Sequence, residues 1–213
     1  MSPGHRILIP FTGVVLAGGR STRMGTDKAF LALPAPAGGP SRPLVTVARD
    51  ALHDAGATPV VAVGGDAAGL DALGLVTWPD DHPDAGPLGG LLTALGRTQL
   101  DIVVVLTCDM PAIDAASVRG LVQTLSAHPE ADAAIPVVDG VAQVLTAAYR
   151  RRARVALAAA FAAGERSVKR AATALTVVDV DHLDPGRLVD LDRPEDVENY
   201  ARADRPHPPQ EHL

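Results

Sequence analysis

Two short stretches carry residue types that handle phosphate. The first is LAGGRSTRMGTDK, residues 16–28, where an apolar run stops at Gly18-Gly19 and Arg20, Arg23 and Lys28 follow against one acid, Asp27. Glycines placed directly after a buried strand let the backbone approach a ligand closely and reach positive φ. Successive N–H groups in such a turn form an anion-binding nest. With three cations added, the loop is locally positive on a chain of net charge −6. A compact polyanion such as a triphosphate suits it. The second stretch is LTCDMP, 106–111, which sets one carboxylate, Asp109, at the tip of the most apolar run. Stability explains an acid there poorly. It is well explained as a hard oxygen ligand for Mg2+, which takes one or two carboxylates together with substrate phosphates and water. The competing reading makes Asp109 the cap of the following helix, but Asp114 is the better-placed cap.

Positioning these loops requires buried strands that end beneath them. GVVLA (13–17), TPVVAVGG (58–65), LVTWP (75–79) and DIVVVLTCDMP (101–111) read as strands. Between and after them, 42–56 (capped by Ser41, stopped by Gly56), 86–97 and 114–129 read as helices. AAIPVVDG (133–140) reads as strand and turn, VAQVLTAAYR (141–150) as strand into helix, and 151–167 as an amphipathic helix ended by Gly164. Residues 176–181 and 187–191 read as late strands, and 193–203 as a last helix. Apolar strands alternating with helices predict an α/β fold: a single Rossmann-like three-layer domain, its mostly parallel central sheet covered by helices on both faces. Ligands of such sheets bind at the carboxyl ends of the strands. Gly18 to Lys28, Gly64-Gly65, Asp80-Asp81 and Asp109 all follow strand ends. The domain is expected to span 1–203, with a nucleotide-binding part at about 12–111, an acceptor-binding part at about 130–200, and a disordered tail at 204–213.

Composition excludes other classes. Of the 213 residues 47% are apolar, enough for a real core. The acidic balance argues against nucleic acid as a partner, and no run is long enough for a membrane span. The start, MSPGHRILIPFTG, lacks the pattern of a signal peptide. One cysteine, Cys108, allows no internal disulfide, so a reducing cytoplasm is the expected compartment. Cys108 itself reads as a small buried residue, not a nucleophile. The seven histidines show no metal-ligand spacing, and the Walker loop, the Gly-x-Gly-x-x-Gly fingerprint and the GxSxG elbow are all absent.

The string Leu16-Ala17-Gly18-Gly19-x-Ser21-x-Arg23-Met24-Gly25-x-Asp27-Lys28 resembles the N-terminal motif of the molybdenum cofactor guanylyltransferases. These belong to the nucleotidyltransferase superfamily that includes the sugar-nucleotide pyrophosphorylases. The resemblance implies that the glycine loop wraps a nucleotide and that Arg23 and Lys28 hold its phosphates. The Gly-Gly form is similar to the guanylyl branch. Cys108-Asp109-x-Pro111 matches the family's metal-bearing element, with the Asp on the metal. Gly86-Pro87-Leu88 resembles a segment that lies along the nucleotide before a helix. An upstream Asp that meets the nucleotide corresponds to Asp80, with Asp81 as the alternative; Gly64 is a further nucleotide-binding candidate.

Toward the C-terminus the resemblance thins. LVDLDRPEDVENY (188–200) resembles an Asn-x-Asn-Thr-Pro-Glu-Asp element that places the acceptor and approaches the metal. Here Asp190 and Asp192 replace the two Asn, so both are acceptor-binding candidates and Asp192 is a candidate second metal ligand. Gln143 stands in a segment similar to Gln-Pro-Leu, and GERSVKR (164–170) resembles a Gly-x-Arg-Ser-Val turn. Gln143, Arg166, Ser167 and Lys169 are thereby acceptor candidates. The activity implied is transfer of GMP from GTP to molybdopterin with Mg2+, releasing pyrophosphate, with transient contacts to molybdenum-insertion and molybdoenzyme proteins. Another base or acceptor (cytidylyl transfer, a cobinamide phosphate, a sugar phosphate) and a non-catalytic cofactor-delivery protein remain alternatives.

Overall fold

The computed structural model describes residues 9–18, 28–33, 41–191, 195–196 and 200. Strand β1 (Phe11–Leu16) is buried along its whole length. A two-stranded ribbon of β2 (Ala32–Leu33) and β3 (Arg42–Pro43) follows in the chain. In the main sheet β1 pairs in parallel with β4 (Val60–Val63) on one side and β6 (Ile102–Thr107) on the other. β5 (Val76–Trp78) lies in parallel outside β4. Beyond β6 come β7 (Ala133–Val138), its short partner β8 (Val141–Ala142), β9 (Ala147–Arg150) and β10 (Val177–Val180), in the spatial order β10-β7-β9-β6-β1-β4-β5. β9 is antiparallel to both β6 and β7, and β10 is parallel to β7. The sheet is therefore mixed but mostly parallel. Its growth reverses from one side of β1 to the other between β5 and β6. That opens a crevice at the carboxyl ends of β1 and β6, where ligands of such sheets bind.

Alternation along β6 explains the three layers. Ile102, Val104 and Leu106 join one apolar cluster, and Val103 and Val105 the other. Helices α1 (Leu44–Ala55) and α4 (Ala115–Ala127) cover the first face through Ala48, Leu52, Leu121 and Leu125, and the short α2 (Ala67–Ala72) adds Leu70. Helices α3 (Pro87–Arg97), α5 (Arg154–Ala162) and α6 (Val168–Ala171) cover the second through Leu91, Leu95, Leu157 and Val168. Each fully buried Leu or Val contributes about 1.5–3 kcal/mol relative to exposure. Among the described residues no helix is long and apolar enough to cross a membrane.

Local signals set most helix ends. Gly56 ends α1 at φ 100°, Pro87 opens α3 as its first residue, and Asp114 caps α4 by accepting from Ser117 N at 2.8 Å. Four expectations fail. Ser41 is not the cap of α1: Arg42-Pro43 pairs as β3, and the helix starts at Leu44, whose N–H donates to Leu31 O at 2.9 Å. The Ala-rich 147–150 does not enter a helix but forms β9, because pairing on both edges overrides helix propensity. The 151–167 helix is shorter, a 3-10 turn at Arg151–Ala153 leading into α5. Finally, 187–191 is no strand; Pro185–Arg187 makes a 3-10 turn and the chain then runs without a ladder partner. Of the expected last helix only 195, 196 and 200 are described, and these are helical. The tail at 204–213 lies outside the described residues.

Candidate active site

The parallel register puts Leu16, Val63, Trp78 and Thr107 on one row, so the loops after β1, β4, β5 and β6 leave from a common rim. Ala17 N donates to Val63 O at 3.1 Å just above that row. There the first two loops touch backbone to backbone. A Cβ built on Gly64, at φ +75°, would stand 2.9 Å from Gly18 Cα, and one on Gly65 would stand 2.9 Å from Ala17 O. Gly64 and Gly65 therefore have a packing reason to be glycine. Leu16 and Ala17 are buried, so toward a ligand they can offer backbone but not side chain.

Lys28 and Asp109, 81 residues apart, meet in this crevice. Lys28 Nζ donates to Asp109 Oδ2 at 3.2 Å, with side chains 16% and 17% exposed. Lys28 opens a 3-10 turn, Lys28–Phe30, that packs against α1 through buried Ala29. The other Asp109 oxygen, Oδ1, is buried and has no hydrogen-bond partner among the described residues. A buried carboxylate oxygen left so costs about 1–3 kcal/mol. A stabilising cap would not leave it so, and the capping role is filled by Asp114. The loop that carries Asp109 is held from three directions: Leu191 N donates to Asp109 O at 3.0 Å, Thr146 Oγ1 contacts Met110 Sδ at 2.9 Å, and Tyr200 OH donates to Pro111 O at 3.3 Å. Cys108 is half-buried against the core rather than fully inside it. Gly19, Ser21, Arg23 and Asp192 lie outside the described residues.

The segment after β5 runs along α3. Asp80 Oδ1 accepts from Thr93 Oγ1 and from His82 N, both at 2.9 Å, while Asp81 pairs with Arg97 at the far end of α3. The bond from Arg97 holds the Asp81 carboxyl below the ordinary range. Asp81 thus has a structural partner on the surface, and Asp80 is anchored beside α3 with one oxygen committed to a turn. Gly86 precedes α3 at φ +74°, with no described residue near its Cβ position. Leu88 is buried in the core. Gly90 is small because a Cβ there would meet Leu16 Cδ2 at 3.1 Å.

The acceptor candidates divide. Ser167 caps α6 by accepting from Arg170 N at 3.3 Å. Glu165 orders the same turn: Oε1 accepts from Ser167 N and Arg166 N at 2.7 Å, and both oxygens accept from Arg170. The Arg170 guanidinium, followed by these N–H groups, pulls the Glu165 carboxyl down to about 2. The Arg166 guanidinium lies 4.0 Å over the Phe161 ring, whose centroid is 4.9 Å from that of His82, in the loop after β5, with the two rings tilted by 54°. Those contacts bring the 164–170 turn against the 80–86 loop. Lys169 is exposed on α6. Gln143 sits in the turn between β8 and β9, its backbone N donating to Pro136 O at 2.8 Å. Asp190, exposed, is next in sequence to Leu191 and so adjoins the Asp109 loop.

Among the described residues no three His, Cys, Asp or Glu gather as a metal cage. Asp109 alone, with an unsatisfied oxygen and a cation already beside it, fits a hard divalent ion that draws its remaining ligands from phosphate and water. Sequence reasoning missed the supports: Thr93, Thr146, Leu191, Tyr200, Phe161 and His82. Of these only Tyr200, one of two tyrosines, and Thr93, a hydroxyl within an Ala/Leu helix, left any signal.

Comparison with known proteins gives the family and the fold. A family model described as the MobA-like NTP transferase domain matches residues 13–178. A protein of Chloroflexus aggregans named "probable molybdenum cofactor guanylyltransferase" is 36% identical over 181 residues, spanning 83% of this chain and 82% of that one. One of the same name from Opitutus terrae is 32% identical over 199 residues, spanning 89% and 94%. Among solved structures, molybdopterin-guanine dinucleotide biosynthesis protein A from Archaeoglobus fulgidus shares the fold at a TM-score of 0.73, with 22% identity over 90% of this chain and 97% of that one. The matched span runs from β1 through the crevice to β10, and the chain belongs to the MobA-like NTP transferase family.

Proposed function

We propose that this protein transfers GMP from GTP to the terminal phosphate of molybdopterin, releasing pyrophosphate and forming the guanine dinucleotide cofactor. The observation that carries the reading is the Lys28–Asp109 pair at the switch-point crevice. It joins the cationic loop and the carboxylate loop in one cleft, in a chain of this family. In the reaction an acceptor phosphate oxygen forms a bond to the α-phosphorus, and the bond from that phosphorus to the β-phosphate bridge oxygen breaks. The attacking oxygen is already anionic at neutral pH, so no strong base is needed. Catalysis is then positioning and charge neutralisation. Lys28, with Arg23 and the loop N–H groups, neutralises charge moving onto pyrophosphate. Asp109, with its unsatisfied Oδ1, holds Mg2+, which when bound neutralises phosphate oxygens; Asp192 is a second candidate ligand. Backbone of Leu16 to Gly19 and of Gly64, with Ser21, lines the nucleotide, and Asp80 and Gly86 to Leu88 flank it. Gln143, Arg166, Ser167, Lys169, Asp190 and Asp192 face the acceptor. On this reading residues 12–111 serve the nucleotide, residues 130–200 serve the acceptor, and the protein works in the cytoplasm beside molybdenum-insertion and molybdoenzyme proteins.

The test is pyrophosphate release with each of four nucleoside triphosphates, Mg2+, and molybdopterin present or absent. Release with GTP only when molybdopterin is present is expected. Release with CTP instead, or with a sugar phosphate in place of molybdopterin, overturns the base or the acceptor. Tight GTP binding without turnover overturns the transferase and leaves a delivery protein.

A further inference from the structure

We propose that Leu191 and Tyr200 are positioning residues: through a small separate apolar cluster they fix where Asp109 stands relative to Lys28. This rests on reading that pair as the phosphate- and metal-handling centre. Leu33, Leu44 and Leu191 are buried together, with Leu31 and Tyr200 packed against them, apart from the two clusters that flank the sheet. One end of this cluster grips the segment that begins with Lys28. Leu31 N donates to Lys28 O at 3.2 Å, and Leu44 N donates to Leu31 O at 2.9 Å, so that segment is strapped to the start of α1. The other end grips the Asp109 loop, through Leu191 N to Asp109 O and Tyr200 OH to Pro111 O. The two partners of the central ion pair are thus fastened to a single group of side chains. Among the described residues the cluster holds three buried leucines, so its role is one of position rather than of bulk stability. An Asp carboxylate is only two rotatable bonds from its Cα, so the backbone position at Asp109 limits where it can sit. A displacement of about 1 Å at a reacting centre costs on the order of 10²-fold in rate.

The test compares Leu191→Ala, Tyr200→Ala and Tyr200→Phe with Leu157→Ala, a fully buried residue of the opposite face. Mn2+ binding in the presence of GTP is read by electron paramagnetic resonance, alongside kcat, KM for GTP, Tm and the amide spectra of Asp109 and Met110. Leu191→Ala and Tyr200→Ala are expected to lower kcat and Mn2+ affinity about tenfold or more, with KM for GTP held within about threefold. Their Asp109 and Met110 amide signals shift. Tyr200→Phe keeps the ring in the cluster and falls between wild type and Tyr200→Ala; Leu191→Met restores Mn2+ affinity to within about twofold. Leu157→Ala lowers Tm at least as far and leaves Mn2+ affinity alone. The proposal is overturned if Leu191→Ala and Tyr200→Ala keep wild-type Mn2+ affinity and kcat, or lose them only as Leu157→Ala does. Failure of the underlying reading looks different: wild type would then neither bind Mn2+ with GTP nor release pyrophosphate. In that case unmoved Asp109 and Met110 amides in the variants still overturn the positioning role.

Discussion

Replacing Asp109 by alanine should separate activity from stability. On the activity side, the variant removes the one described carboxylate in contact with Lys28 and the candidate metal ligand. Loss of one preorganised charge contact to a transition state costs about 2.7–4 kcal/mol, so turnover should fall by about 10²–10³. On the stability side two effects oppose each other. The half-buried ion pair at 3.2 Å is lost; exposed pairs contribute about 0.2–1 kcal/mol, and this one somewhat more because it is less screened. Against that, the buried Oδ1 without a partner disappears, and relieving such an oxygen returns about 1–3 kcal/mol. The sum runs from about zero to about 3 kcal/mol in the variant's favour, so Tm should hold or rise rather than fall. Pyrophosphate release with GTP and molybdopterin measures the first effect. Calorimetry without nucleotide or metal measures the second. A loss of turnover below about tenfold, or a destabilisation above about 3 kcal/mol, would mark Asp109 as a structural residue and refute the reasoning.

Gly64→Ala forces a Cβ to 2.9 Å from Gly18 Cα at φ +75°, so it should destabilise by about 1–3 kcal/mol and weaken GTP binding together; unchanged Tm and Kd would mean the two loops do not bear on one another. The Glu165 carboxyl should titrate at about 2 in the folded protein, since Arg170 and the turn N–H groups favour its ionised form. A depressed acid supplies order above its ordinary value of 4.5 and loses it as pH falls through about 2. The 164–170 turn should therefore hold unchanged from neutral pH down to about 4.5 and loosen only below. Carboxyl NMR checks this, with Arg170→Gln moving the titration upward; a wild-type value near 4.5 would contradict it.

Much of the frame was legible because its signals are local. Valine runs of uniform apolarity gave β1, β4 and β6, and Asp114 and Gly56 marked helix ends by their own side-chain and φ requirements. The glycines and cations after β1, and the acid after β6, pointed to one crevice because parallel strands end on one side. What was illegible depends on partners distant in sequence. Ala147 to Arg150 carries helix-forming residues and becomes a strand only because β6 and β7 leave a slot between them. The Gly64 signal mixed two causes, since a glycine that admits a ligand and one that admits Gly18 look alike. Tyr200 and Leu191 were unreadable as supports because their partners are backbone groups of the Asp109 loop, which have no sequence signature.

The hydrogen bond from Leu191 N to Asp109 O also bears on how the protein is made. Synthesis delivers β1, β4, β5 and β6 first, and they form adjacent strands able to pair as they emerge. Neither the slot beside β6 nor the carbonyl of Asp109 is satisfied until much later. A ribosome must translate past residue 191 before the cleft acquires its final shape. A nascent chain stalled upstream of residue 191 would hold its nucleotide loops without a finished centre, a built-in delay between folding and reactivity.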